Sequence, residues 1–582
     1  MLRVLTALLL VLPAPAPAQT VNPALVQSGT GTKARSFLEK ARGDYDIKDA
    51  GAVCNGVADD TAAIQTAVNA AGRVYFGGPD RNCVTREISV PSNRVLFAHG
   101  ARLTQKAGAT AIFSAYGTQG AHLSNIRITG FDFVGVDATV THYAINVGWV
   151  NRVKVDNNSF VGIYPFWAGS NGVAFGSVAL ANIQDQIEVS NNYYSSSVTE
   201  DSDAPIFVRY AKHVIISNNR LVGYSGTAAG IEVFGGDSNP AGNGTKTADR
   251  KCSDFVIEGN ILSRFTSGVN VSQCQRGVVR SNVLNDTNES LAIFGSFDVS
   301  IVGNTIVTAG PALQTAGINR NLVFADNVVN TSARSGAILI QPTWTSADNA
   351  GPISFLNNRI HSSVANTAYT YDVGHLILKG NTFRNVTYHH VGASSQLEIE
   401  GNTWIYDVFP TIPPESLYVM RLTGFNSTMS GIASSNKFAR VRGNIFEDRT
   451  AAFTGAFIRV NDPGVSSSLS IEENTFIGNA RATNIQLYAS SRSVALTTVI
   501  RGNAVSGLID TASNNTATTK TVVLGDNVVY GSRAHWLGAP PTSSAHYFSV
   551  GSVVYSNNPA TDGVIGWECT VAGAPGIWKA FR

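Results

Sequence analysis

Three acidic residues, Asp203, Glu232 and Glu289, fall at related places in neighbouring segments of this chain, among aromatic residues and an arginine. Glu232 lies between Ile231 and Val233. Alternate side chains of a strand point to opposite faces, so a glutamate between two buried aliphatics faces outward. The segments 144–148, 173–177, 206–210, 231–235, 269–273 and 291–295 align in a repeat. With Ile145, Val173, Ile206, Ile231, Val269 and Leu291 inward, the outward column reads Asn146, Ala174, Phe207, Glu232, Asn270 and Ala292. The next outward column holds Arg209, Phe234, Ser272 and Phe294. His142, Tyr143, Asp201, Asp203, Asp286 and Glu289 occupy the turns just before these segments.

Hydrolysis of a glycosidic bond needs a carboxylic acid to protonate the leaving oxygen and a second carboxylate roughly 5–9.5 Å away. Turns of a stacked sheet, about 4.8 Å apart, supply such spacings. Glu232, shielded by Phe207 and Phe234, is expected to have a raised pKa and to act as the acid. Asp203 is the expected base or nucleophile, with Glu289 in reserve. Arg209 would orient a substrate carboxylate or hydroxyl. Phe207, Phe234, His142, Tyr143 and Asn270 complete the expected sugar-binding set, under an overhanging loop at 235–252. A second reading is β-elimination from a uronate. It would take a base from His142 with Tyr143 or from Lys212 with His213. It would also take a cation, either Arg209 or a Ca²⁺ held by Asp201, Asp203 and Glu232. No other cofactor and no resident metal is expected. The bland alternative pairs Glu232 with Arg209 on a solvated sheet.

The repeat that aligns these residues is short: apolar, any, apolar, two residues, then Asn and an apolar residue. It recurs from "VKVDNNSF" to "VVLGDNVV", with aligned asparagines at 158, 192, 219, 260, 282, 304, 327, 358, 381, 402, 444, 474, 503 and 527. Asn260, Asn282, Asn304 and Asn327 are spaced by 22, 22 and 23 residues. Short strands at such a period predict a parallel β-helix, in which each turn adds strands to long sheets and inward residues stack along the axis. Asparagine suits the turn because it tolerates left-handed backbone and bonds its own backbone. The column is therefore expected to be a structural hydrogen-bonded ladder.

Ahead of the repeat, Asp60 is expected to cap a helix beginning at Thr61, with Ile64 and Val68 on one face and Gly72 at its end. Such a helix would cover the open edge of the coil. Gly51, Ala52, Gly56, Asp59, Asp60, Thr61, Ala63, Ile64 and Gln65 together resemble the opening of the pectate lyase superfamily domain, which includes polygalacturonase-like enzymes, polysaccharide lyases and phage tailspikes. Asn55 stands where that pattern usually has Asp, and Cys83 where an aromatic is common. The resemblance covers roughly residues 44–105 and implies an all-β, right-handed parallel β-helix. It assigns no catalytic residue. The Asn-Thr-Asp, Asp-Asp and His-Gly set of polygalacturonases is absent from the central repeats, as is the Asp-Pro-His of alginate epimerases. The Asp59-Asp60 pair is read as a cap rather than a catalytic dyad.

The rest of the chain bounds the setting. Its 582 residues are 44% hydrophobic and 14% charged, with net charge +2, which gives a large core and no footprint for nucleic acid. Residues 1–18 read as a signal peptide, with Arg3, an apolar run and Ala16-Pro17-Ala18. A secreted protein without a membrane span follows, with 19–43 an extension, 44–529 the β-helix and 530–582 a small β module. Trp536, Trp567 and Trp578 in that module read either as sugar-stacking faces or as part of an end cap. Cys54–Cys83 and Cys252–Cys274 are the nearest cysteine pairs, with Cys569 left over; spacing does not decide connectivity. The expected partner is an extracellular polysaccharide, and the expected assembly a monomer or homotrimer. Hydrolase is preferred, lyase follows, and a non-catalytic tailspike-like glycan binder is the reading from a different class.

Overall fold

The computed structural model describes residues from 44 to 581. Residues 1–43 lie outside it, as do internal stretches, the longest being 170–182, 237–251, 341–351, 409–417, 424–436, 538–552 and 557–565. One turn of the coil shows the construction. Val150–Asp156, Ser159–Val161 and Tyr164–Gly169 follow one another, and each pairs in parallel with its counterparts one turn before and after. The first of the three sheets has 18 strands and the third 16. This is the all-β, right-handed parallel β-helix implied by the repeat.

The core runs along the axis. Ile145, Phe166, Ile206, Ile231, Val269, Leu291 and Leu313 are successive register partners in the third sheet, and all are buried. Stacked identical positions favour rings lying face to face. Phe133 stacks on Phe160 at 4.9 Å, and Trp404, Phe446 and Phe476 stack in sequence at 4.6 and 4.9 Å.

The asparagine column is the expected ladder, from Asn158 to Asn527. Asn282 is typical. Its Oδ1 accepts from the backbone N–H and the Nδ2 of Asn260, while its own Nδ2 donates to Asn304 Oδ1 and Ile257 O. Asn282 is fully buried. The expected reason for asparagine there needs correcting. The left-handed residue of each turn is the one before the ladder position: Asn157, Asn191, Asn218, Gly259 and Ser281 have φ of 58°, 55°, 55°, 65° and 55°. The ladder residue is chosen for its amide, not for its backbone.

At the N-terminal end, Thr61–Ala70 is the capping helix, with Ile64, Ala67 and Val68 buried. It ends at Ala70 rather than at Gly72, and Ala71 is already extended. The two aspartates divide the work differently from expectation. Asp60 sits at the N-cap but makes no side-chain cap bond; its carboxylate accepts from the N–H groups of Val53 and Cys54. Asp59 accepts from the Thr61 N–H and hydroxyl and pairs with Lys106 at 2.6 Å. Those bonds hold its carboxyl well below the usual range, the Lys106 contact first.

Cys54 and Cys83 form a disulfide. Cys252 and Cys274 are register partners on adjacent strands, yet both are buried free thiols, as is Cys569. The chain ends in a separate four-stranded sheet that includes Gly566–Val571 and Ile577–Phe581, paired antiparallel. Trp567 is buried there and offers no sugar-stacking face.

Candidate functional site on the third sheet

The strand that pairs with Ile206–Arg209 from one turn before is Tyr164–Gly169; the expected 173–177 lies wholly within the undescribed 170–182. The outward column is therefore Asn146, Trp167, Phe207, Glu232, Asn270, Ala292, with Trp167 in the place assigned to Ala174. The alternation in Tyr-Pro-Phe-Trp-Ala-Gly carried this signal, but Val173-Ala174-Phe175 alternates equally well. The second column, with Arg209, Phe234, Ser272 and Phe294, has the expected register.

Two aromatic residues form the floor. The Trp167 and Phe207 rings stack at 6.4 Å with 9° between planes. Gly169 is what lets the indole lie across the sheet, since a Cβ there would come 2.4 Å from the ring. Gly148 does the same for Tyr116, which is about one-third exposed. Phe207 and Phe234 are not open platforms: both are buried, and the Arg209 guanidinium covers them, 5.0 Å and 5.4 Å from their ring centres. Arg209 and Glu232 are diagonal neighbours in the register, close enough for long side chains to meet.

Glu232 is half-buried, flanked by Phe207 on one turn and Asn270 on the next. Asn270 Oδ1 accepts from the Ser272 hydroxyl at 3.0 Å. Asp203 and Asp201 lie outside the described residues, as does most of the 235–252 loop. Glu289 is not brought to Glu232. It is the register partner of Ser267, two strands on and three residues back, about 14 Å away. His142 is about 19 Å away by the same count. Tyr143 is buried, and its hydroxyl donates to Ala204 O at 3.0 Å, so it faces no groove. His213, weighed as a lyase base, is in the first sheet and pairs with Asp185 at 2.6 Å. Further along, the same outward column carries Arg421 and Arg459 in adjacent register; the strand signal there is plain, but the sequence alignment stopped short of it.

Among the described residues, the one group of three metal-type side chains is Cys54, Asp60 and Cys83. Two of its sulfurs are in the disulfide and cannot ligate as thiolates. No helix among the described residues is long and apolar enough to cross a membrane.

No known protein-family profile matches the chain. It is 24% identical over 311 residues to the uncharacterized protein YclG of Bacillus subtilis, a match covering 50% of this chain and 44% of that protein. The chain thus spans under half the length of that relative. Similar solved structures include the N-terminal fragment of bacteriophage phi29 gene product 12 (12% identity, TM-score 0.48, covering 83% of this chain and 93% of that one). An exopolygalacturonase from Thermotoga maritima gives 11% identity and TM-score 0.36, covering 70% and 87%. A tailspike protein of E. coli bacteriophage HK620 with a bound pentasaccharide gives 11% identity and TM-score 0.44, covering 79% and 80%.

Proposed function

We propose that the chain is a secreted glycoside hydrolase acting on an extracellular polysaccharide along the outward face of the third sheet. The observation that carries this reading is Glu232 at the end of the Trp167–Phe207 stack, beside Asn270 and diagonal to Arg209. In this reading the half-buried Trp167 ring meets a sugar face, the amide and guanidinium bind hydroxyls, and the half-buried Glu232 carboxyl protonates a glycosidic oxygen. Asp203 is the proposed second carboxylate. In the sequence it precedes Ile206 by three residues.

One observation favours a second reading. Arg209 is held over two rings next to a carboxylate, which suits β-elimination: the cation would neutralise a uronate while Glu232 abstracts the proton. One assay separates the two. The protein and its Glu232→Gln variant are incubated with a polysaccharide panel, reading reducing ends and the ultraviolet absorbance of unsaturated uronates together. Reducing ends without absorbance, lost in the variant, are expected. Absorbance rising with the ends establishes the lyase. Neither signal, with Ca²⁺ added, leaves a glycan-binding protein.

A further inference from the structure

A second groove lies on a different face, at the corner where the asparagine turns join the first and second sheets. It has a volume of about 910 Å³ and spans five turns, from the one carrying His99 to the one carrying Arg220. Its rim is a row of three amides, Asn157, Asn191 and Asn218, on successive turns. All three are exposed and all three are the left-handed residue of the turn.

Backbone demand alone does not account for this row. The equivalent position is glycine at 130, 259, 303, 380, 401, 443 and 502, and Ser281, Asp326, Asn357 or Glu473 on other turns, so the turn does not require asparagine. Among the described turns, this position is asparagine on consecutive turns only at 157, 191 and 218, the three that line the groove. Nor are two of the three amides committed elsewhere. Asn157 Nδ2 donates to Asp156 at 2.7 Å, and the side chains of Asn191 and Asn218 have no hydrogen-bond partner among the described residues. Beside them Tyr193 exposes 39% of its surface, with the Arg220 guanidinium 5.9 Å from its ring centre.

We infer that this groove is a second glycan-binding site, taking a hydroxyl-rich polysaccharide chain laid parallel to the helix axis. Each amide offers donor and acceptor together, as vicinal hydroxyls require. The amides repeat at the spacing of the turns, about 4.8 Å, close to the length of one pyranose ring, so successive sugars meet successive rungs. Tyr193 supplies the stacking face and Arg220 a hydrogen-bonding fork. The site is separate from Glu232 and does not require that residue to be catalytic.

The test is saturation-transfer NMR and calorimetric titration of the full chain carrying Glu232→Gln, so that no probe is consumed. The probes are cellohexaose, chitohexaose and hexagalacturonate. Asn157→Gly, Asn191→Gly and Asn218→Gly are combined in one variant. Glycine already occupies this position on other turns, so an unchanged melting temperature is expected. Binding at least tenfold weaker in that variant, and again in Tyr193→Ser, supports the site. Affinity unchanged in both variants, or no binding of any probe, overturns it. Binding lost through the asparagines in a protein with no activity on any polysaccharide would keep this site and reject the Glu232 reading.

Discussion

The Arg209 guanidinium lies over the Phe207 ring, 5.0 Å from its centre, and reaches Phe234 on the next turn at 5.4 Å. A planar, always-charged group is thus held over two rings, diagonal to Glu232. Lysine carries the same charge but cannot stack as a plane. Arg209→Lys is therefore expected to lower kcat/KM by about tenfold or more, roughly 1.4 kcal/mol of transition-state binding. Arg209→Ala should lower it further. Steady-state kinetics on the best substrate of the panel check this; equal rates for Lys and Arg would show that only charge matters there.

The ladder makes a stability prediction of its own. Asn282→Ala leaves the Asn260 N–H and amide without their acceptor and removes both donors of Asn282. Buried groups left unpaired cost about 1–3 kcal/mol each, so a total loss near 3–5 kcal/mol is expected. Asn282→Asp keeps the acceptor but buries a charge against two oxygens; its deficit at neutral pH should shrink in acid as the carboxyl protonates. Urea midpoints across pH read both effects.

How much of this was legible follows from which forces act locally. The strands, the period and the ladder asparagines are written in alternation and spacing, because every turn must bury the same face against the turn before. The register of 206–294 was legible for the same reason. Trp167 was not, because two adjacent segments alternate alike and only pairing with Phe207 decides between them. The covering of Phe207 and Phe234 was hidden as well, since it depends on where one long side chain, Arg209, lies down across turns. Asp59 and Asp60 exchanged roles for a similar reason: two neighbouring carboxylates satisfy one motif, and the loop at Val53–Cys54 takes the second.

The Cys54–Cys83 disulfide closes a loop with a sequence separation of 29. In the chain-entropy account such a loop contributes about 3–4 kcal/mol. Paired Cys54→Ser and Cys83→Ser changes are expected to loosen the capping helix first, because Cys54 also donates its N–H to Asp60. Hydrogen exchange should then rise over Thr61–Ala70 well before it rises in the central turns. Uniform exchange along the coil would show that the end cap does not open by itself.

His389 gives a pH dependence with a definite sign. It is wholly buried, its Nε2 accepts from Trp404 Nε1 at 3.0 Å, and the rings of Phe383 and Trp404 meet it edge to face. Burial pushes its pKa down to about 3, from 6.5. The unfolded chain therefore binds a proton that the folded chain refuses between those values. Stability from this residue is complete above pH 6.5 and falls as the pH drops, by at most about 1.4 kcal/mol per unit. Asp59 and Asp254, both lowered by hydrogen bonds to Lys106 and Arg276, lose their contribution only in more acid solution. The window from pH 6.5 to 4.5 is thus the one in which His389 is read. His389→Phe should lower stability at pH 7, because the Trp404 N–H loses its acceptor, but it should flatten the slope across that window. An unchanged slope in the variant would place the acid sensitivity in other groups.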